Sequence, residues 1–187
     1  VNNSQVDLIS SFGFGKDTIK KAEGIYIYTN DGKKIYDFTG GIGVLNHGHN
    51  HPRILNARKK FSELKKMEVH KNYFSPYIAA LSSNIANLLP SDLNISYFPN
   101  SGAEAVEGAI KMAYKYHNGK RRVVLHSDIS FHGKTIGASN LTSSVETSYY
   151  KFQKVLNTDS FKFNDIESVK QKIKLHKKDN KSNIYAI

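Results

Sequence analysis

Residues 94–126 constrain the fold more than any other stretch of the chain. A short β-branched and aromatic run, "NISYF", leads into "PNSGAEAVEGAIKMAYKYHNGK" and then into a second apolar run, "RRVVLH". Ala103, Val106, Ile110 and Ala113 recur at the helical period, which predicts a helix over 101–117 with Asn118 and Gly119 as its stop. Gly108 and Ala109 would let that helix approach a sheet closely. A strand, a helix and a second strand in this order predict a parallel pair joined by a crossover helix.

The alternation continues downstream, where Ile166, Val169 and Ile173 mark a further helix and "IYAI" a buried strand. Upstream, Pro52 opens a segment in which Ile54, Ala57, Phe61 and Leu64 share one helical face. A second helix is predicted over 76–89, with Ile78, Leu81, Ile85 and Leu88 on its face and Pro90 at its end. The stretch "GIYIYTNDGKKIYDF", residues 24–38, places two strand-forming runs around Asn-Asp-Gly and predicts a β-hairpin. "TGGIGVLNHGHNHP" after it is too rich in Gly and His for a regular element and reads as a loop. The class is α/β, with no internal repeat, low-complexity segment or Pro-rich linker.

The 187 residues suffice for a sizeable core. A net charge of +11, from 27 Lys and Arg against 16 Asp and Glu, raises nucleic acid as a partner. The lysines are dispersed in short pairs, however, and Arg is scarce, so a solvated lysine-biased surface is expected and no nucleic acid. With no Cys, the fold needs no oxidising compartment and the cytoplasm is the expected location. No run approaches the roughly 20 apolar residues of a membrane span, and the opening residues lack a signal-peptide pattern, so no membrane association is expected. A first residue that is Val and a final "NIYAI" without a polar tail predict a chain cut at both ends.

Ser101, Gly102 and Ala103 stand where a predicted strand ends and a helix begins. Two readings are open. Unpaired helix-terminal N–H groups beside residues with almost no side chain could cradle an anion. Alternatively, Ser101 and Glu104 form an S-x-x-E capping box that satisfies the helix end internally, with Glu104 and Glu107 repelling an anion. The loop "SDISFHGKT" after "RRVVLH" should rise at the same carboxyl edge of the sheet, where ligands of open α/β sheets gather. Phe131 and His132 would then face the Ser101 turn, Phe131 by stacking on a planar ring; an ordinary packed Phe and a capping His are the alternative. His47, His49 and His51 alternate as metal ligands sometimes do, but the loop has no strand framing to converge them, and no metal is expected.

Together these stretches resemble the class III pyridoxal-phosphate aminotransferases, the ornithine and acetylornithine aminotransferase group. "FPNSGAEAVEGAIKMA" is similar to that family's phosphate-binding turn and helix, and "SFHGKTIGASNLT" to its ring-stacking loop. "YIYTNDGKKIYDFTGGIGVLNHGHNHPRI" is similar to its N-terminal hairpin and the glycine-histidine loop that follows. The resemblance covers roughly residues 20–145 and weakens beyond.

The resemblance implies the fold-type-I architecture of pyridoxal-phosphate transferases. Residues 1–50 would be an N-terminal segment of the small domain, and 51–187 the first half of the large, mostly parallel-sheet cofactor domain. By position, Ser101, Gly102 and Ala103 would hold the cofactor phosphate. Phe131 would stack on the pyridine ring with His132 beside it, and Ile42 and Val44 would line the substrate side. The implied reaction moves an amino group between an amine or amino acid and a 2-oxo acid, in a homodimer. A mutase or decarboxylase on the same fold, or an inert structural subunit, would share these motifs. The family's Schiff-base lysine and the aspartate that pairs with the pyridinium nitrogen are expected beyond residue 187, so these residues alone are expected to be inactive. Lys134 matches a peripheral basic position and receives no covalent role.

Overall fold

Asn30, Asp31 and Gly32 close the predicted hairpin between β2 (Tyr26–Thr29) and β3 (Lys34–Tyr36), with Gly32 at φ +88°. Tyr26 pairs directly with Tyr36, their rings 4.9 Å apart, and the Lys34 ammonium lies 3.7 Å over the Tyr26 ring. A third strand, β1 (Ile19–Glu23), adds to β2 to complete an antiparallel sheet of order β1-β2-β3. The computed structural model describes residues 17–68, 72–143, 154–178 and 181–187. The chain forms two units, 1–81 and 82–187.

In the first unit the sheet is followed by α1 (Pro52–Glu63), where the helix predicted from Pro52 begins; His51 Nδ1 accepts from the Arg53 amide at its start. Helix α2 (Pro76–Ala86), through which the division at residue 81 runs, is shorter than predicted. The Leu88 and Leu89 amides bond to the Ile85 and Ala86 carbonyls, so the end tightens into i→i−3 turns before Pro90.

The second unit is built on a parallel sheet of order β5-β4-β8, from β4 (Val123–Ser127), β5 (Asn157–Phe161) and β8 (Ile184–Ala186). Strand β4 is central, and its residues alternate between two covered faces, as a parallel strand buried on both sides must. Val124 packs with Tyr185 and Leu141 against Ile110, Val106 and Ala113 of α3 (Gly102–Tyr116). Val123, Leu125 and Ile184 face the opposite way, toward Phe161 and toward Ile173 of α5 (Ile166–Leu175). Asn118 and Gly119 end α3 as predicted, both at positive φ. A short α4 (Ile136–Ser139) follows the loop after β4, and a two-stranded ribbon of β6 (Lys177–Lys178) and β7 (Lys181–Ser182) precedes β8.

The expected strand at "NISYF" does not form. No described strand lies beside it to take its backbone groups, Ile95 is 94% exposed, and an extended segment without a ladder partner is not a strand. Its Tyr97 ring lies over Gly108, where a Cβ would come within 2.8 Å of the ring. Gly108 is thus needed for this aromatic and not for a sheet. Among the described residues, no helix is long and apolar enough to cross a membrane.

Candidate functional site

Because α3 runs back toward the start of β4, its first turn stands at the carboxyl edge of the sheet. Ser101 is extended (φ −151°), and its Oγ accepts from the Glu104 amide at 3.2 Å. Glu104 Oε2 in turn accepts from the Asn100 amide at 2.6 Å. The serine half of the capping box therefore exists, while Glu104 reaches one residue past the N-cap, and together they do not consume the turn. The Gly102 and Ala103 amides have no acceptor in the helix and make no hydrogen bond among the described residues. A Cβ placed on Gly102 would meet nothing within 4 Å, so there is room for a side chain at the start of the helix.

The loop after β4 does reach this turn. Gly133 lies so close to α3 that a Cβ on it would stand 2.5 Å from the Ala103 Cβ and 2.9 Å from the Ala103 Cα. The loop is pinned from both ends. Ser130 Oγ lies 2.7 Å from the Leu141 carbonyl and 2.9 Å from that of Ser127, and the Ser143 amide donates to the Ser130 carbonyl. Thr142 Oγ1 accepts from the His132 amide at 3.0 Å and sits 3.1 Å from the Gly133 carbonyl.

Phe131 projects outward and is 62% exposed. His132 is half-buried; burial, and then the nearby His126, hold its imidazole below the ordinary histidine value, so it is neutral at pH 7. His126 Nδ1 lies 2.9 Å from the Ser127 carbonyl and 3.3 Å from the Ser143 hydroxyl. An apolar cavity of ≈ 540 Å³ opens beside the loop, walled by Val106, Ile110, Leu125, His126, Ser130 and His132 among others; Ser101, Gly102, Ala103 and Phe131 are not among its walls.

Glu107 is turned away from the anion turn. Its Oε1 accepts from the Thr135 hydroxyl at 2.7 Å and from the Gly137 and Ala138 amides at 2.8 and 3.0 Å. The clash expected between this carboxylate and an anion at Gly102 is thereby reduced. Neither Glu107 nor Thr142 was legible as a site residue in the sequence, because each acts on a segment that only the tertiary fold brings near. On the other face of the sheet, Asp159 of β5 is tied to α5 by Lys172 at 2.7 Å and His176 at 2.9 Å. Burial pushes the Asp159 carboxyl up, but these partners prevail and hold it below the ordinary value.

In the first unit, Ile42 and Val44 lie on the loop after β3 and are 78% and 72% exposed. Gly40, Gly41, Ile42 and Gly43 all have positive φ and form a left-handed turn; Ile42, at φ 61°, is the β-branched residue in it, a conformation that costs about 1–2 kcal/mol. Asp37 organises this loop. Its Oδ1 accepts from the Thr39 hydroxyl at 2.7 Å and from the Thr39 and Gly40 amides, while Oδ2 meets His49 Nε2 at 2.7 Å. His51 caps α1, and the His47 ring packs edge-on against it at 6.3 Å. Among the described residues, no group of three or more His, Asp or Glu is placed to hold a metal ion.

Unpartnered amides at a helix N-terminus, with a planar ring and a neutral imidazole on the loop against it, suit a phosphate ester that carries an aromatic ring. The family model of class-III aminotransferases matches residues 15–187. The chain is 33% identical to the acetylornithine aminotransferase of Clostridium acetobutylicum over 172 residues, 89% of this chain and 43% of that protein. It is 38% identical to a probable 4-aminobutyrate aminotransferase of Bacillus subtilis over 133 residues, 71% of this chain and 30% of that one.

Among solved structures, ornithine aminotransferase from Toxoplasma gondii superposes with a TM-score of 0.75 at 19% identity, covering 98% of this chain and 43% of the other. Adenosylmethionine-8-amino-7-oxononanoate aminotransferase from Methanocaldococcus jannaschii gives 0.78 at 21%, covering 94% and 45%. These two share its fold, the type-I fold that the motifs implied. The chain spans less than half the length of these relatives. Since the family model runs over nearly its whole length, the chain belongs to the class-III aminotransferases.

Proposed function

We propose that the protein containing this chain moves an amino group between an amine or amino acid and a 2-oxo acid, with pyridoxal 5'-phosphate as cofactor. The carrying observation is the contact of Gly133 with Ala103, which sets the Phe131–His132 loop against the open amides of Gly102 and Ala103. In this reading, Gly102 and Ala103 donate their amides to the cofactor phosphate, and the Ser101 hydroxyl, whose oxygen already accepts from Glu104, adds its proton. Phe131 lays its exposed ring on the pyridine, and neutral His132 stands beside it without adding charge. When bound, pyridoxal phosphate supplies the electron-withdrawing ring that amino-group transfer requires.

Ile42 and Val44 line the substrate side, and Asp37 holds the shape of their loop. Residues 1–50 belong to the small domain and 51–187 to the large cofactor domain. The names of the relatives, acetylornithine and 4-aminobutyrate aminotransferases, favour an amino donor of that kind. The intact enzyme is a cytoplasmic homodimer with small-molecule partners.

The test uses the intact protein, titrated with pyridoxal phosphate by visible absorbance and assayed for amino transfer from a panel of amines to 2-oxo acids. Wild type should bind the cofactor and turn over. Gly102→Glu should lose the cofactor, because the free space at this position admits a carboxylate whose bulk and charge oppose a phosphate at the turn. Unchanged affinity in a folded Gly102→Glu protein would refute the phosphate assignment.

A further inference from the structure

The turn that carries Ser101, Gly102 and Ala103 and the loop that carries Phe131 and His132 are separate pieces of chain, and one side chain joins them. Glu107 stands on the second turn of α3, the helix that begins at Gly102. Its Oε1 takes the hydroxyl of Thr135 and the amides of Gly137 and Ala138, the second and third N–H groups of α4, which have no acceptor within that helix. The seam has no slack: a Cβ on Gly137 would fall 2.4 Å from Glu107 Oε2, and one on Gly133 2.5 Å from the Ala103 Cβ. Thr142 Oγ1 closes the other side, within reach of the His132 amide and the Gly133 and Ala138 carbonyls.

We propose that Glu107 is a positioning residue for the cofactor, a clamp from α3 onto the start of α4 that fixes Phe131 and His132 relative to the Gly102–Ala103 amides. The inference rests on the pyridoxal-phosphate reading above. Burial pushes the Glu107 carboxyl up, yet the Thr135, Ala138 and Gly137 donors and the nearby Lys111 leave it below the ordinary value, so it is ionised at pH 7. What the clamp needs is an oxygen acceptor at this point. Gln can supply one and Ala cannot.

The experiment compares Glu107→Ala, Glu107→Gln and Thr135→Val with wild type in the intact protein. It reads pyridoxal-phosphate affinity, the visible circular dichroism of the bound cofactor, and amide exchange at Gly137 and Ala138. Glu107→Ala should weaken cofactor binding by about tenfold, the scale seen when groups that orient direct ligands are removed. It should also alter the dichroic band and speed exchange at both amides. Glu107→Gln should restore most of each signal, and Thr135→Val, which removes one donor, should show a smaller loss even if Glu107→Ala does not fold. Wild-type affinity and dichroism in Glu107→Ala would overturn the clamp, as would a Thr135→Val protein identical to wild type beside an unfolded Glu107→Ala. A wild type that binds no pyridoxal phosphate would instead overturn the cofactor reading, and this role for Glu107 with it.

Discussion

Gly133 touches Ala103 across the seam between the loop after β4 and the first turn of α3, and no side chain fits at position 133. The obstacles are Ala103 Cβ at 2.5 Å and its Cα at 2.9 Å, neither of which can rotate away. Gly133 also has φ +120°, which a side chain opposes. Gly133→Ala should therefore destabilise the protein by about 2 kcal/mol or more, through overpacking and backbone strain together. Urea unfolding measures it, and a loss under about 0.5 kcal/mol would mean that the seam is looser than described.

How much of this was legible depends on where each signal resides. Helix α3 and strand β4 announce themselves locally: Ser101 caps, Asn118 and Gly119 stop, and "VVL" is the buried centre of the sheet. Strands β1 and β5 do not, because "IKKAE" and "NTDSF" carry no apolar alternation and are strands only through their neighbours. The converse error at "NISYF" has the same cause, strand-forming residues without a ladder. The Ser101 turn was legible as two competing readings, and the structure contains the serine cap, with Glu104 on the Asn100 amide, while leaving the Gly102 and Ala103 amides without a partner among the described residues. Glu107 was legible only as unwanted charge, since its donors lie at positions 135–138. The alternating histidines make contacts that the sequence did not show: His49 pairs with Asp37 and His51 caps α1.

Asp37 carries a pH signature. The Thr39 hydroxyl first, and His49 next, lower its carboxyl from the ordinary 3.8 to about 2. A depressed folded-state value means that ionised Asp37 adds stability above the ordinary value and loses it as the pH falls toward about 2. Asp37→Asn should thus be less stable than wild type near pH 6, with a deficit that shrinks as the pH is lowered from 3.8 toward about 2. Thermal midpoints of both proteins across that range give the comparison. A deficit that stays constant with pH would show that the loop depends on hydrogen bonding at this position and not on the charge.

Phe131 should separate binding from folding. Its side chain is 62% exposed and fills no core position, so Phe131→Ala should change the unfolding free energy by less than about 0.5 kcal/mol. Ring stacking is worth about 0.5–1.5 kcal/mol beyond area burial, so the same substitution should weaken pyridoxal phosphate by about two- to twelvefold. Phe131→Tyr keeps a planar ring and should retain nearly wild-type affinity. Equilibrium titration of the three proteins, alongside their urea midpoints, decides the matter. A large stability loss without a change in affinity would place Phe131 in packing contacts and remove it from the cofactor site. A Phe131→Ala protein unchanged in both would leave the loop contributing to that site through His132 and its backbone, without the stack.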